Sequence, residues 1–336
     1  MHRRMTIVRS MAVAAVLAAA VTMRAQVPRV ADAFESDIPR GLPTPWTFAP
    51  GRSGARAFTF TVFGDRTGNL QAHTLEKVVD TLNRRASSSP SAFVITVGDL
   101  IEGYSDNIPT LLRMWEEFDA GIGRLSQPFF RAPGNHDIGN RTMQEVYRAR
   151  FSRDYYYFVF NDVLFLVLNT EDPAPELPEA MRTAMNQRAE QAVAGARLPA
   201  DPLVPCDRNA VETPIPARAV FSIPNISEAQ AAYFEHVIDA HENVKWTFVF
   251  MHKPAWRAPV AEPFKRLEAQ LQSRPYTVIA GHTHSYKLER YHDRDYYTIG
   301  PSASLRRCSG DRDVDNQLVT VRFDGRTPKI TREWID

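Results

Sequence analysis

The sequence predicts an α/β protein in which helices face two sheets. The first observation is a repeated unit: an apolar strand at 57–63 ends in Gly64-Asp65, a helical pattern follows over 70–85, and a second strand at 93–97 ends in Gly98-Asp99. Strand, turn and helix in this order are typical of a parallel sheet with crossover helices. The second observation is a later group of strands that supplies a second sheet, at 246–251, 276–280, 296–299, 318–323 and 329–334.

Local signals predict the elements between these two groups. Asn161-Asp162 is a hairpin turn signal, and Ser227 followed by Gln230 three residues later is a capping box that starts a helix. The predicted elements are a strand at 128–132, paired strands at 155–160 and 163–168, a helix near 178–196 and a helix from Ser227 to about His241.

The N-terminal segment has the composition of a signal peptide. Residues 1–25 combine four arginines with an apolar run from Met11 to Met23 and end in the small residue Ala25. The run is too short to span a bilayer comfortably, so no permanent membrane span is expected after cleavage. We therefore expect a secreted or periplasmic protein.

The rest of the chain forms one main domain. Residues 26–56 are rich in Pro and lack periodicity, which predicts an extended lead-in that lies along the domain. The domain covers 57–336 and contains a Pro-rich insertion at about 171–224. Long insertions of this kind either close over a site or vary freely, and the sequence leaves both open.

Charge excludes one class of partner. Removing residues 1–25 takes away four arginines and no acidic residue, so the formal net charge changes from +1 to −3. A nearly neutral protein lacks the basic face that nucleic acid requires, whereas a small phosphorylated substrate remains compatible. The oligomeric state is not indicated.

Two cysteines, Cys206 and Cys308, are the only ones in the chain. In an exported protein such a pair is compatible with a disulfide that ties the insertion to the C-terminal region, and equally with two buried thiols. Their spacing fits neither a metal knuckle nor a redox motif.

Metal-binding side chains follow the predicted strands. The carboxyl ends of strands in an α/β sheet form the usual ligand-binding edge, and oxygen and imidazole donors without thiolate suit Zn, Fe, Mn or Mg. Two such ions can clamp a phosphoryl group and activate a water between them. The residues that the strand ends supply are Asp65, Asp99, Asn135, His252, His282 and His284.

These motifs resemble the calcineurin-like metallophosphoesterases. That family carries, in order, GD-x-H, GD, GNHD, a His after a strand, and GH-x-H, and the match extends from about Phe58 to Ser285. The resemblance implies a four-layer α/β/β/α sandwich of two mixed sheets, a centre of two divalent or trivalent metal ions, and hydrolysis of a phosphomonoester or phosphodiester by a metal-bound hydroxide.

The resemblance also implies a role for each residue of the centre. Asp99 would bridge the metals, Asp65 and His284 would complete the first site, and the second site would take Asn135, His252 and His282. His136 would contact the phosphate and protonate the leaving group, with Asp137 orienting it. The candidates for contact with the substrate phosphate are Arg66, Asn135 and His136, and Tyr104, Trp256 and Arg306 are candidates for the pocket wall.

One position departs from the family pattern. Thr67 stands where the first motif has a His, so the first metal would have a poorer ligand set. Purple acid phosphatases also lack that His and use a Tyr three residues after the second Asp, but here that position is Glu102, with Tyr104 two residues further on. Two alternatives therefore remain open: a purple-acid-type phosphatase, and a degenerate member that binds phosphate without catalysis.

Overall fold

The computed structural model describes residues 34–51, 56–67, 74–195, 223–257, 261–303 and 315–335. The predicted signal peptide, Cys206, Cys308, Arg306 and residues 196–222 of the predicted insertion lie outside the described residues. From residue 34 onward the described residues form one unit, which includes the described part of the lead-in. Within the described ranges, none of the helices has the length and apolar character needed to cross a membrane.

Twelve strands and six helices make up the described part of the chain. The strands are β1 Phe34–Glu35, β2 Phe58–Phe63, β3 Val94–Thr96, β4 Phe129–Phe130, β5 Tyr156–Phe160, β6 Val163–Val167, β7 Trp246–Phe250, β8 Tyr276–Ala280, β9 Lys287–Tyr291, β10 Arg294–Thr298, β11 Gln317–Phe323 and β12 Pro328–Trp334. The helices are α1 Thr74–Ser88, α2 Ile108–Ile122, α3 Arg141–Phe151, α4 Glu179–Val193, α5 Glu228–Ala240 and α6 Glu262–Leu271.

Two mixed sheets pack face to face, as the sequence predicts. The larger has the order β1-β5-β6-β7-β8-β10-β9, and the smaller has the order β12-β11-β2-β3-β4. The strands that precede the predicted site, β2, β3 and β4 in one sheet and β7 and β8 in the other, pair in parallel within each sheet. Parallel pairing brings their carboxyl ends to the same edge of each sheet.

Three apolar layers separate the four structural layers. Aromatic side chains from both sheets, including Phe60, Phe93 and Phe165, fill the space between the sheets. Helices α1, α2 and α3 cover the outer face of the smaller sheet, and α5 and α6 cover the outer face of the larger one. The four-layer α/β/β/α sandwich is therefore confirmed.

The lead-in covers two sheet edges. Phe34 and Glu35 pair with β5, and Trp46 forms an antiparallel bridge with Phe130 of β4. Further along, the Thr47 N–H donates to the Phe129 carbonyl at 3.0 Å. These contacts satisfy backbone groups that exposed edge strands would leave open to another chain.

The sequence patterns missed strand β9. Its residues, Lys287–Tyr291, are mostly exposed and include charged side chains, so they carry no alternation of apolar and polar positions. The strand forms because it pairs antiparallel with β10 across a two-residue turn in which His292 and Asp293 both have positive φ. The same backbone geometry occurs at the correctly predicted turn Asn161-Asp162.

Phe60 offers a test of the core between the sheets. Its ring is fully buried and lies 5.1 Å from the ring of Phe248 and 5.4 Å from that of Phe165. We expect Phe60→Ala to lower the free energy of unfolding by about 3–5 kcal/mol, because the cavity spans both sheets. Phe48→Ala, at a side chain that is 48% exposed, should change it by less than about 0.5 kcal/mol. Urea unfolding of both variants measures the difference, and equal losses would contradict this assignment of the core.

Candidate metal centre

The six predicted metal ligands meet at one edge of the sandwich. They lie in the turns that follow β2, β3, β4, β7 and β8, so both sheets contribute to one site. Five of them are at most 7% exposed, and His282 is partly buried. The six residues are Asp65, Asp99, Asn135, His252, His282 and His284.

The Nε2 atom of His252 lies at the centre of one half of the site. It is 2.8 Å from Asn135 Oδ1, 3.2 Å from Asp99 Oδ1 and 3.2 Å from His282 Nδ1. The other ring nitrogen, Nδ1, donates to the Val97 carbonyl at 2.8 Å. A carbonyl partner of this kind fixes the tautomer and leaves Nε2 as the ligand atom. This half therefore has four convergent donors.

Asp65 defines the other half. Its Oδ2 lies 3.6 Å from His284 Nε2, and its Oδ1 lies 3.6 Å from His252 Nδ1. Both separations are too long for hydrogen bonds, and Oδ1 is a buried oxygen without a hydrogen-bond partner among the described residues. A buried carboxylate oxygen that lacks a partner is costly unless a cation satisfies it. Ligand atoms of Asp65, Asp99 and His252 lie within 4.8 Å of one another, so the residues present fit a metal site.

Thr67 contacts the carboxylate that joins the two halves. Its side chain is fully buried, and its Oγ1 donates to Asp99 Oδ2 at 3.3 Å. This hydrogen bond helps to orient Asp99.

Burial and charge shift the pKa values of the site in opposite directions. Burial raises the pKa of Asp65 to about 7, although nearby His252 opposes the shift. Burial alone would lower the pKa of His252, but the Asp99 carboxylate outweighs it and raises that pKa to about 9. Burial, together with the charge of His252, holds the pKa of His282 well below its usual value. Without metal the site therefore retains protons at neutral pH.

His136 is held beside the centre by backbone contacts. Its N–H donates to Asp99 Oδ1 at 3.0 Å, and its ring Nδ1 lies 2.8 Å from the Glu102 carbonyl. Because a carbonyl only accepts, Nδ1 carries the proton of this bond, and Nε2 is the nitrogen that can exchange a proton with a substrate.

We expected Asp137 to orient the His136 ring, and the contact at Nδ1 of that ring comes from the Glu102 carbonyl. The Asp137 carboxylate instead accepts from four backbone N–H groups at 2.8 to 3.2 Å. The donors are Asp99, Leu100, Ile101 and Gly134. Asp137 therefore fixes the turns that carry the neighbouring residues.

Unfavourable backbone conformations occur at the centre. Four non-glycine residues there have φ between 50° and 69°, a region that L-residues rarely occupy: Asp99, Tyr104, His282 and His284. A close approach also requires Gly134, since a Cβ there would lie 2.2 Å from Asp99 Oδ1. Strain of this kind persists where a functional arrangement demands it.

Arg66 does not occupy the position expected of a phosphate ligand. Its guanidinium donates to the Leu100 carbonyl at 2.9 Å and to the Glu117 carboxylate of α2 at 2.7 Å, and only 5% of the residue is exposed. The prediction was wrong because position in a turn does not fix the direction of a long side chain. Arg66 instead links the turn after β2 to helix α2.

The two aromatic pocket candidates lie in different places. The Tyr104 ring packs against the His136 ring with centroids 4.6 Å apart, so this residue belongs to the site. Trp256 packs on Tyr296 in the layer beneath α5 and α6 and donates to Glu289. Its side chain belongs to that core and not to the pocket wall.

A buried ion pair beside the centre escaped the sequence analysis. Lys253 follows the ligand His252, and its Nζ lies 2.8 Å from the Glu171 carboxylate, with each side chain 1% exposed. Lys253 also donates to the Ile223 carbonyl at 3.2 Å. The pair therefore fastens both ends of the predicted insertion to the strand end that carries His252. The only sequence signal was a charged residue within three positions of the end of each of two apolar predicted strands.

The fold and the donor set define a metal-dependent hydrolase. The family model for calcineurin-like phosphoesterases matches residues 58–286, which is more than half of the chain. The chain belongs to the calcineurin-like phosphoesterase family. It is therefore a metallophosphoesterase, a hydrolase that acts on phosphoester bonds, and its family uses a dimetal centre.

Two solved structures are similar to this chain to different degrees. A dimetal phosphatase from Danio rerio is 14% identical, with a TM-score of 0.55, over 83% of this chain and 96% of that chain. GAP50, the anchor in the inner membrane complex of Plasmodium, is 12% identical with a TM-score of 0.47, over 83% of this chain and 84% of that chain. A search among curated proteins found no match. At 14% identity the likeness to the Danio rerio phosphatase concerns the fold alone.

Protons should compete with metal at this centre. His252 must lose its Nε2 proton to bind a metal, so with a pKa of about 9 the apparent affinity should rise about tenfold per pH unit between pH 7 and 8.5. The slope of log affinity against pH should be steeper below pH 7, because Asp65 also takes up a proton there. Competition titrations with Mn²⁺ at several pH values measure it.

The control is His236→Gln, on the exposed face of α5, which should leave the slope unchanged. A pH-independent affinity would contradict the protonated metal-free site.

Proposed function

We propose that this metallophosphoesterase hydrolyses a small phosphomonoester or phosphodiester at the strand-end centre, with His136 as the general acid. The observation that carries the proposal is the position of Asp99. Its Oδ1 faces His252 Nε2 at 3.2 Å and its Oδ2 faces Thr67 at 3.3 Å, so the two oxygens of one carboxylate serve the two halves of the site.

Each half has the donors that one cation requires. We assign Asp65, Asp99 and His284 to the first ion, and Asp99, Asn135, His252 and His282 to the second. Carboxylate, amide and imidazole donors suit Mn, Fe, Zn or Mg. When bound, two such ions polarise a phosphoryl oxygen and lower the pKa of a coordinated water.

His136 supplies the proton that the leaving group needs. The Glu102 carbonyl fixes its Nδ1–H, and the backbone N–H bond to Asp99 fixes the distance of the residue from the centre. Its Nε2 can then donate a proton to the departing oxygen of the ester. Asn135 and His136 remain the phosphate contacts in this proposal, and Asp137 acts by holding the turns.

The Tyr104 contact bears on the purple-acid alternative. In that class a tyrosine oxygen binds iron, whereas here the Tyr104 hydroxyl accepts from Asn135 Nδ2 at 2.5 Å. This contact favours the dimetal phosphoesterase without a tyrosine ligand. A protein that only binds phosphate does not need a general acid, so the fixed position of His136 favours catalysis over this alternative.

Export is also part of the proposal. The arginines and apolar run of residues 1–25 support a secreted or periplasmic location. The clamp between Glu171, Lys253 and Ile223 places the ends of the insertion beside the centre and supports a role for it in substrate selection.

A leaving-group comparison tests the general acid. Replacing His136 by Gln should reduce kcat for phenyl phosphate by about 10²–10⁴, because general acid catalysis typically contributes that much. The loss should be at least tenfold smaller for 4-nitrophenyl phosphate, whose better leaving group needs less protonation. Rates are measured with Mn²⁺, and elemental analysis should show unchanged metal content.

His236→Gln serves as the control and should retain full activity. Equal losses on both esters would contradict the role of His136. The wild-type protein is also assayed on both monoesters and on bis(4-nitrophenyl) phosphate, with Mn, Zn, Fe or Mg added. If it hydrolyses none of them, the phosphate-binding alternative is supported instead.

A further inference from the structure

We propose that Tyr104 is a positioning residue that directs the side chains of Asn135 and His136 toward the metal centre. The inference deepens the proposed function, on whose metal assignment of Asn135 it rests. Tyr104 is not a metal ligand in this account. It acts through two neighbours, one by a hydrogen bond and the other by ring packing.

The hydroxyl of Tyr104 determines which end of the Asn135 amide faces the centre. Asn135 Nδ2 donates to Tyr104 Oη at 2.5 Å, and only 7% of Tyr104 is exposed. The other end, Oδ1, lies 2.8 Å from His252 Nε2. An amide has one oxygen and one nitrogen, and only the oxygen can ligate a cation. Anchoring the nitrogen therefore commits the oxygen to the metal.

The ring of Tyr104 acts on His136. The two rings meet edge to face with centroids 4.6 Å apart. Space for the tyrosine ring depends on Gly139, because a Cβ at that position would lie 2.5 Å from Tyr104 Cδ1. The imidazole is thus confined between this ring and the Glu102 carbonyl that holds its Nδ1.

Two features of the loop between β3 and α2 indicate that it holds Tyr104 in this position. Tyr104 has a φ of 51°, which is unfavourable for a bulky residue and needs compensation from its surroundings. Helix α4, in the predicted insertion, supplies such support through Asn186. That side chain accepts from Ser105 Oγ and from the Asp106 N–H, each at 2.9 Å, and donates to Asp106 Oδ1 at 2.8 Å. The insertion therefore braces the loop that carries Tyr104.

Tyr104→Phe tests the inference because it keeps the ring and removes the hydroxyl. Without its anchor the Asn135 amide can rotate, and the affinity for Mn²⁺ should fall by about 10- to 100-fold, as is typical when a partner of a metal ligand is removed. The affinity is measured on the metal-free protein by competition with a chromophoric chelator. The visible spectrum of the Co²⁺ form should change as well.

The matched control is Tyr276→Phe. Tyr276 is also buried and also uses its hydroxyl, which lies 2.8 Å from that of Tyr296 in the layer beneath α6. This variant should lose stability yet keep the wild-type Mn²⁺ affinity. It separates a general loss of stability from an effect on the centre.

A double-mutant cycle identifies the route of the effect. In an Asn135→Ala background, Tyr104→Phe should change the Mn²⁺ affinity by less than twofold, because the amide it anchors is gone. Unchanged affinity of Tyr104→Phe in the wild-type background, or an equal loss in both backgrounds, overturns the inference while leaving the proposed function intact. A wild-type protein that binds no Mn²⁺ overturns both.

Discussion

The Asp137 carboxylate is the constraint on which the site depends. It accepts hydrogen bonds from backbone N–H groups on two different turns, one after β3 and one after β4. This arrangement holds the two turns together while Asp99 occupies a backbone conformation that it would not adopt alone. These bonds satisfy buried backbone N–H groups of both turns, so the turns keep their positions relative to each other.

From that fixed point the centre is assembled by the two sheets together. The smaller sheet supplies Asp65, Asp99 and Asn135, and the larger supplies the three histidines, so neither sheet contains a complete site. The aromatic layer between the sheets holds their carboxyl ends in register with each other. Backbone carbonyls then set the imidazole tautomers: Val97 for His252 and Glu102 for His136. Packing of the core and chemistry of the site are thus linked through a few turns.

The strands, and the convergence of six polar side chains at their ends, could be predicted because both leave a direct trace in the sequence. Apolar runs that end in Gly-Asp, Gly-Asn or Gly-His mark a strand and the polar residue that it delivers. Strand β9 left no such trace, because its pairing with β10 and not its composition makes it a strand. The sequence could not predict that the Glu102 and Val97 carbonyls accept hydrogen bonds from the imidazoles. Every residue carries a carbonyl, and only the fold determines which one faces a histidine.

Side-chain direction was the main source of error. The sequence places Arg66 and Asp137 correctly in the turns of the site, but it does not show that Glu117 draws the guanidinium toward α2 or that backbone N–H groups surround the carboxylate. Tyr104 was a candidate for the pocket wall, and its bond to Asn135 depends on a backbone conformation that no sequence pattern reports. The sequence predicted the position of the side chain well where that side chain is short, as at Asp65, Asp99 and Asn135.

The most direct test of the central claim is a crystal structure of the Mn²⁺-loaded protein with anomalous diffraction recorded for the metal. The account predicts two anomalous peaks about 3.5–4 Å apart, both within bonding distance of the Asp99 carboxylate, one also contacting Asp65 and the other Asn135. A single peak, or peaks remote from Asp99, would contradict the dimetal centre and the role given to each of its ligands.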